Sequence, residues 1–283
     1  MSCTTSHSLS LPSRHFAVWA LLQALVAVFA MLQAHAAYAD DATEIAKQAQ
    51  NPVASLISVP FQDNINFGVG PESLVQNVLE IEPVIPFKLN DDWNLITRTI
   101  IPVVEQPTLA PAVGNVTGLG DVQLALYLSP GRPGGVIWGI GPAFSFASAT
   151  DRSLGSGKDS AGLSAAALTI QGPWLVGALV TDVVSVAGEK DRESASQFLI
   201  QPFVNYNFSH GWYLTSSPIV TANWKGTSGN KWTVPVGGGG GKIFHVGHQA
   251  FNAIVQAFDN VEHPHEAGNW TLRLQVSLLF PKK

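Results

Sequence analysis

Charge is scarce in this chain. Asp, Glu, Lys and Arg make up 12% of its 283 residues, about half the ~25% usual in a soluble domain. The 15 Lys and Arg are outnumbered by 20 Asp and Glu and gather into no basic stripe. That excludes the electrostatic footprint of a nucleic-acid binder. Cysteine is limited to Cys3, so no disulfide framework holds the fold. Nothing after Asp40 offers a run of ~18 apolar residues, which leaves no later spanning helix. Yet mean hydropathy is +0.19, with 26 Gly, 18 Pro and eight Trp, a composition neither disordered nor collagen-like. A chain this apolar, with no such helix, needs another way to hide its surface.

The first forty residues differ from the rest. Arg14 and His15 precede an apolar run from Phe16 to Leu32, and Ala37-Tyr38-Ala39 precedes Asp40-Asp41. Basic flank, apolar core and A-x-A site are the layout of a secretory signal peptide; the alternative is an N-terminal transmembrane anchor. Cleavage is expected after Ala39. Cys3 lies ahead of the apolar run, where a lipoprotein acceptor would not sit, and both Met leave with the signal. The expected division is a signal peptide over 1–39, a segment of helical character over 40–52 that caps or enters one mouth, a β-barrel over 53–280, and a tail over 281–283.

Past residue 50 the helical period gives way to alternation of period two. Trp270, Leu272, Leu274, Val276, Leu278 and Phe280 share one face, and Thr271, Arg273, Gln275 and Ser277 the other. Phe198, Ile200, Val204, Tyr206 and Phe208 oppose Gln197, Gln201, Asn205 and Asn207 in the same way. Turn signals between such runs predict twelve strands, near 53–67, 76–87, 93–104, 119–129, 135–147, 161–170, 174–187, 196–208, 212–223, 232–243, 250–259 and 269–280. Short and long connections alternate strictly, so the long ones share one end. Short turns, long loops and an even strand number describe an antiparallel outer-membrane barrel.

A soluble β-sandwich would show the same alternation. Two features favour the barrel. The polar face is Gln, Asn, Ser, Thr and Gly, which suits a lumen better than an open surface. Trp93, Trp138, Trp174 and Trp212 lie near the short-turn end, and Trp224, Trp232 and Trp270 near the long-loop end. Two rings of Trp bounding an apolar band are what membrane interfaces select.

Residues 55–70 (SLISVPFQDNINFGVG), 76–102 (QNVLEIEPVIPFKLNDDWNLITRTIIP), Gly118-Leu119-Gly120-Asp121, 197–224 (QFLIQPFVNYNFSHGWYLTSSPIVTANW) and 232–242 (WTVPVGGGGGK) carry a resemblance. The chain resembles the bacterial outer-membrane family named for the meta-cleavage pathway of phenol degradation, whose members are often labelled "transporter" or, misleadingly, "neuromedin U". The resemblance covers nearly all of 55–282. It implies a signal-bearing barrel in a Gram-negative outer membrane that passes small, often aromatic, compounds, with no catalytic residue set. One departure is the ending: outer-membrane chains usually finish on an aromatic residue, whereas Phe280 is followed by Pro281-Lys282-Lys283.

Function is expected on the lumen face. A hairpin centred on Asn90 places Glu82 opposite Arg98, with Glu80 nearby. These charges form either a constriction that selects solutes by sign or a structural ion pair that fixes register. Arg273 and Asp121 are further lumen candidates, and Asp182 sits on a strand of ambiguous parity. Asp63 falls by parity on the lipid face, which predicts a place near the external rim or beside a bulge. Gly237 to Gly241 before Lys242 is no phosphate loop, because the pattern needs Gly at Val236 and Ser or Thr at Ile243. His263 and His265, within Glu262-His263-Pro264-His265-Glu266, are weak metal candidates, held apart by Pro264. No G-x-S-x-G motif is present, and no enzyme activity or cofactor is expected. The partners expected are membrane lipid, lipopolysaccharide and a small solute. The function expected is passive passage of small, apolar or aromatic molecules, the alternative being a closed structural or partner-binding barrel with functional external loops.

Overall fold

The computed structural model describes residues 39–107 and 114–281. A helix, α1 (Ala39–Ala49), is followed by β1 (Ile57–Val69), β2 (Leu74–Ile81), β3 (Val84–Lys88), β4 (Trp93–Gln106), β5 (Val116–Leu119), β6 (Gln123–Pro130), β7 (Ile137–Ser145), β8 (Lys158–Gln171), β9 (Trp174–Gly188), β10 (Ser196–Asn207), β11 (Trp212–Ser216), β12 (Val220–Asn223), β13 (Trp232–Val246), β14 (Gln249–Glu262) and β15 (Trp270–Phe280). β2 with β3, β5 with β6, and β11 with β12 are broken halves of single staves. The described residues therefore form a closed antiparallel barrel of twelve strands. Closure comes from β1 against β15, in register from Ile57↔Phe280 to Phe67↔Trp270.

The breaks have local causes. Pro83 and Pro218 lack the N–H that a central strand must donate, and Gly120-Asp121 turns away from the ladder between β5 and β6. A bulge lies between Phe67 and Val69, where Gly68 takes φ +78°; it turns Val69 inward, against the parity of the strand. The connections are tight at one end and longer at the other, except that residues 70–73 make a short turn at the long-loop end, so the expected strict alternation is interrupted there.

Burial follows an inverted rule. Val186 is 66% exposed and Leu163 63%, whereas Gln256 and Asn252 are each 2% exposed. The outward face is a continuous band of exposed large apolar side chains, as a barrel in hydrocarbon requires and a soluble sandwich forbids, while the inward face mixes amides and hydroxyls with buried apolar residues such as Leu179 and Phe203. The Trp residues pair within their two zones: Trp93 with Trp138 (6.1 Å), Trp224 with Trp232 (5.5 Å), and Trp270 stacked on Phe67 (4.1 Å). Trp174 packs on Tyr206 (4.8 Å), and Lys242 Nζ lies 4.6 Å from the Trp212 ring.

The ladder begins at Ile57, four residues later than the alternation predicts, because the preceding residues have another task. Val53 is buried with Ile96, Tyr127, Leu179 and Phe203. Ala42, Ile45 and Ala46, at helical spacing on α1, are buried with Leu56, Tyr213, Ile243 and Leu279. Residues before β1 thus occupy the lumen side of the wall at the short-turn end. The expected signal peptide lies outside the described residues, apart from Ala39, and so do Lys282 and Lys283.

Tyr127 is fully buried, and its hydroxyl shares a 2.7 Å hydrogen bond with Ser164 Oγ. Tyr127→Ala is expected to cost about 3 to 5 kcal/mol and Tyr127→Phe about 1 kcal/mol, measured by reversible urea unfolding in lipid vesicles.

Candidate functional site

Four charges gather on one stretch of the lumen wall, where β4, β2, β1 and β15 lie in order. β2 supplies Glu80, the link between β2 and β3 supplies Glu82, β4 supplies Arg98 and β15 supplies Arg273. Gln62 and Asn64 on β1 both donate to Glu80 Oε2, at 2.8 and 3.0 Å. Arg98 Nη2 meets Glu82 Oε2 at 2.8 Å, with both side chains largely shielded from solvent. Arg273 Nε donates to Asn64 Oδ1 at 2.9 Å, and its Nη1 crosses to the Ser217 carbonyl at 3.0 Å. Ser217 Oγ lies 3.1 Å from the Gln256 amide. The belt therefore runs from β4 and β2 through β1 to β15 and onto the break between β11 and β12.

The expected register is corrected here. Arg98 lies opposite Val84, not Glu82. Asn90 Oδ1 accepts the Asp92 and Trp93 N–H groups, which recentres the turn one residue later. Glu82 still reaches Arg98 because it lies diagonal to it, within range of a long side chain.

Cavities lie on both sides of this belt. One of about 320 Å³ is lined by Arg98, Ala125, Tyr127, Leu179, Gln197 and Leu199 among others. A second, of about 390 Å³, is bounded by Asn64, Asn66, Gln76, Glu80, Asn260 and Arg273 among others. Toward the short-turn end a smaller space of about 150 Å³ lies between Glu82, Arg98 and Ser217 on one side and Gln50, Asn51 and Leu56 on the other.

The remaining candidates fall elsewhere. Asp121 lines none of these cavities; it anchors the loop over residues 146–157. Its Oδ2 accepts the Ser156 N–H and Oγ–H at 2.6 and 2.7 Å, and its Oδ1 accepts the Ala149 N–H at 3.2 Å. Gly120 leaves room for this loop: a Cβ there would lie 3.2 Å from the Leu154 carbonyl and 3.0 Å from Pro102. The Gly118-to-Asp121 motif thus serves as a loop receptor, a role with no signal in strand alternation. Asp182 pairs opposite Phe198 and accepts the Trp224 indole N–H at 3.1 Å, on the outer face. Asp63 is neither at a rim nor at a bulge; it sits in the middle of β1 between Leu274 and Leu79, hydrogen-bonded by Asn77. His263 Nδ1 lies 2.9 Å from the Pro264 carbonyl, and the His265 N–H donates to Asn230. No cluster of three or more potential metal ligands occurs among the described residues.

A second loop, over 189–195, locks onto the first. Arg152 meets Glu189 at 3.1 Å and Asp191 at 3.0 Å. Arg192 donates to the carbonyls of Ser156 (3.0 Å), Arg152 (2.8 Å) and Gly155. The Arg152 hydrogen bond holds the Asp191 carboxyl below its ordinary range. This bridge is therefore complete at neutral pH and is lost only as pH falls through that lowered value.

No family model and no curated protein matches the sequence. Among solved structures, an outer membrane channel from Pseudomonas putida F1 is similar with a TM-score of 0.60 and 17% identity, over 80% of this chain and 94% of that one. The NanC porin is similar with a TM-score of 0.51 and 8% identity, over 80% of this chain and all of that one. At these identities the likeness is one of fold, and the fold is that of bacterial outer-membrane barrels.

Two outcomes follow from the site geometry. Removing one partner of the shielded pair, by Glu82→Gln or Arg98→Gln, is expected to cost about 3 to 5 kcal/mol, and the double variant less than the sum, read from a double-mutant cycle of urea unfolding. Asp121→Ala removes the acceptor of three loop hydrogen bonds. It is expected to make residues 146–157 the first site cut by external protease while the barrel still migrates folded on unheated gels.

Proposed function

We propose that this protein is a passive outer-membrane channel for small, apolar or aromatic molecules. Its filter is the lumen belt of Glu80, Glu82, Arg98 and Arg273, two charges of each sign. The observation that carries this reading is the coexistence of that belt with cavities of about 320 and 390 Å³ inside a ladder whose outer face is apolar. Opposed charges at a narrowing sort solutes by sign and dipole, while the flanking volume admits a small molecule. Twelve strands give a lumen between the side-chain-filled eight-stranded barrels and the aqueous sixteen-stranded porins. The resemblance to the phenol-pathway family supports the same solute class. The long loops face the lipopolysaccharide leaflet and the tight turns face the periplasm, which puts α1 at the periplasmic mouth.

The second reading is a closed structural or partner-binding barrel. The packing of α1, Val53 and Leu56 against the lumen wall favours it. Planar-bilayer recording separates the two. The protein extracted from membranes of an expressing host is expected to give stepwise currents, with ion selectivity altered in Glu82→Gln and Arg98→Gln and conductance raised when residues 40–50 are deleted. Silence from folded, inserted protein, with and without residues 40–50, would leave the closed barrel.

A further inference from the structure

Arg273 is the charge in the belt whose surroundings are incomplete. It is 5% exposed, yet it forms no ion pair among the described residues, whereas Arg98 is held by Glu82 at 2.8 Å. Its Nε and Nη1 bond to Asn64 and to the Ser217 carbonyl, both neutral, and its Nη2 donates no bond among the described residues. The Phe258 ring lies 4.9 Å from its guanidinium carbon. Glu80 is close enough to act on it electrostatically, but its Oε2 is taken up by Gln62 and Asn64. A buried guanidinium whose nearest carboxylates, Glu80 and Glu82, make no direct ion pair with it is only partly compensated. Here it is the cation on the wall of the cavity of about 390 Å³, which Glu80 and, toward the long-loop end, Glu266 also line.

The wall above Arg273 is a row of neutral polar groups. Thr271 Oγ1 donates to Asn66 Oδ1 at 2.7 Å, Asn66 to Gln76 at 2.8 Å, and Gln76 to Gln106 at 2.5 Å. Amides and hydroxyls both donate and accept, so such a row suits hydroxyl groups on a solute. A guanidinium fork suits a carboxylate. The volume falls in the ~300–1,000 Å³ range of small-molecule sites.

We propose that Arg273, with the polar row on β15, β1, β2 and β4, is a subsite that binds a small hydroxylated carboxylate. This deepens the channel reading and rests on it in taking the lumen as the path of a solute. Glu80 then has a defined part: its charge weakens the hold on the anion, so that the solute both enters and leaves.

Isothermal titration calorimetry of the detergent-extracted protein tests this, with 4-hydroxybenzoate as probe and phenol as the comparator that lacks the carboxylate. Saturable binding of 4-hydroxybenzoate and not of phenol is expected. Arg273→Gln is expected to weaken it about tenfold or more, Glu80→Gln to tighten it, and Lys242→Gln, which removes a cation outside the lumen, to leave it unchanged. Folding of each variant is checked by heat-modifiable gel migration. Absence of saturable binding, equal binding of phenol, or indifference to Arg273→Gln would overturn the proposal. If Arg273→Gln does not fold, unchanged or weaker binding in Glu80→Gln overturns it. Because no current is read, binding in a silent barrel would sink the channel reading alone, and conduction without binding would sink the subsite alone.

Discussion

Pairing of β1 with β15 along Ile57 to Phe67 is the contact on which the rest of this molecule depends. In hydrocarbon an unpaired backbone N–H or C=O costs several kcal/mol, so an open sheet of this kind has two edges it cannot leave bare. Once the ladder closes, the pleat assigns every side chain to lipid or lumen with no freedom left. That single assignment explains why Leu163 and Val186 lie outside while Gln256 and Asn252 are sealed within. It also explains how the broken staves survive. The Glu82 N–H donates to the Pro60 carbonyl at 2.9 Å, Thr99 to Pro83 at 3.1 Å, and Gly120 to Pro102 at 2.9 Å. The strand halves separate without leaving these backbone groups unpaired.

The irregular places in the ladder are where polar chemistry collects. At the break between β2 and β3 sits Glu82, which the unchanged register against β4 leaves on the diagonal from Arg98. Between β11 and β12, the break offers the Ser217 carbonyl to Arg273 from across the lumen. Between β5 and β6, it frees Asp121 to hold the loop over residues 146–157. A regular strand commits its backbone polar groups to its neighbours; a break returns some of them to side chains. Proline enforces this at Pro83 and Pro218, and Gly120 permits close approach at the third.

Much of this was legible in the chain itself, for a physical reason. Lipid on one side and a lumen on the other impose alternation, so twelve strands could be read from period two and turn signals; the facing of the Asp182 strand could not, because its inward residues Leu179 and Val183 are as apolar as its outward ones. Registers were less accessible. The Asn90 side chain recentres its turn by one residue, and no pattern of apolar spacing carries that information. The start of β1 is not legible in the alternation, because Val53 and Leu56 are buried inside the lumen and burial there produces the same apolar signature as a strand. Of the candidate residues, Glu80, Glu82, Arg98 and Arg273 gather on one stretch of the lumen wall. Asp121 does not join them, since its partners Ala149 and Ser156 lie in a loop whose path sequence does not disclose.

Asp63 is the exception that the closure constraint makes intelligible. It stands on the outer face in the middle of β1, between Leu274 and Leu79, where an ionised group costs most. Asn77 supplies it with a hydrogen bond, yet its Oδ1 is buried without a partner. The next residue, Asn64, faces inward and bonds both Glu80 and Arg273. Polar groups thus crowd both faces of the seam formed by β15, β1 and β2. The lumen side of that seam is well satisfied and the lipid side is not. A polar pair in an apolar band weakens the partition of the band into hydrocarbon, and here it does so beside the pairing that closes the barrel.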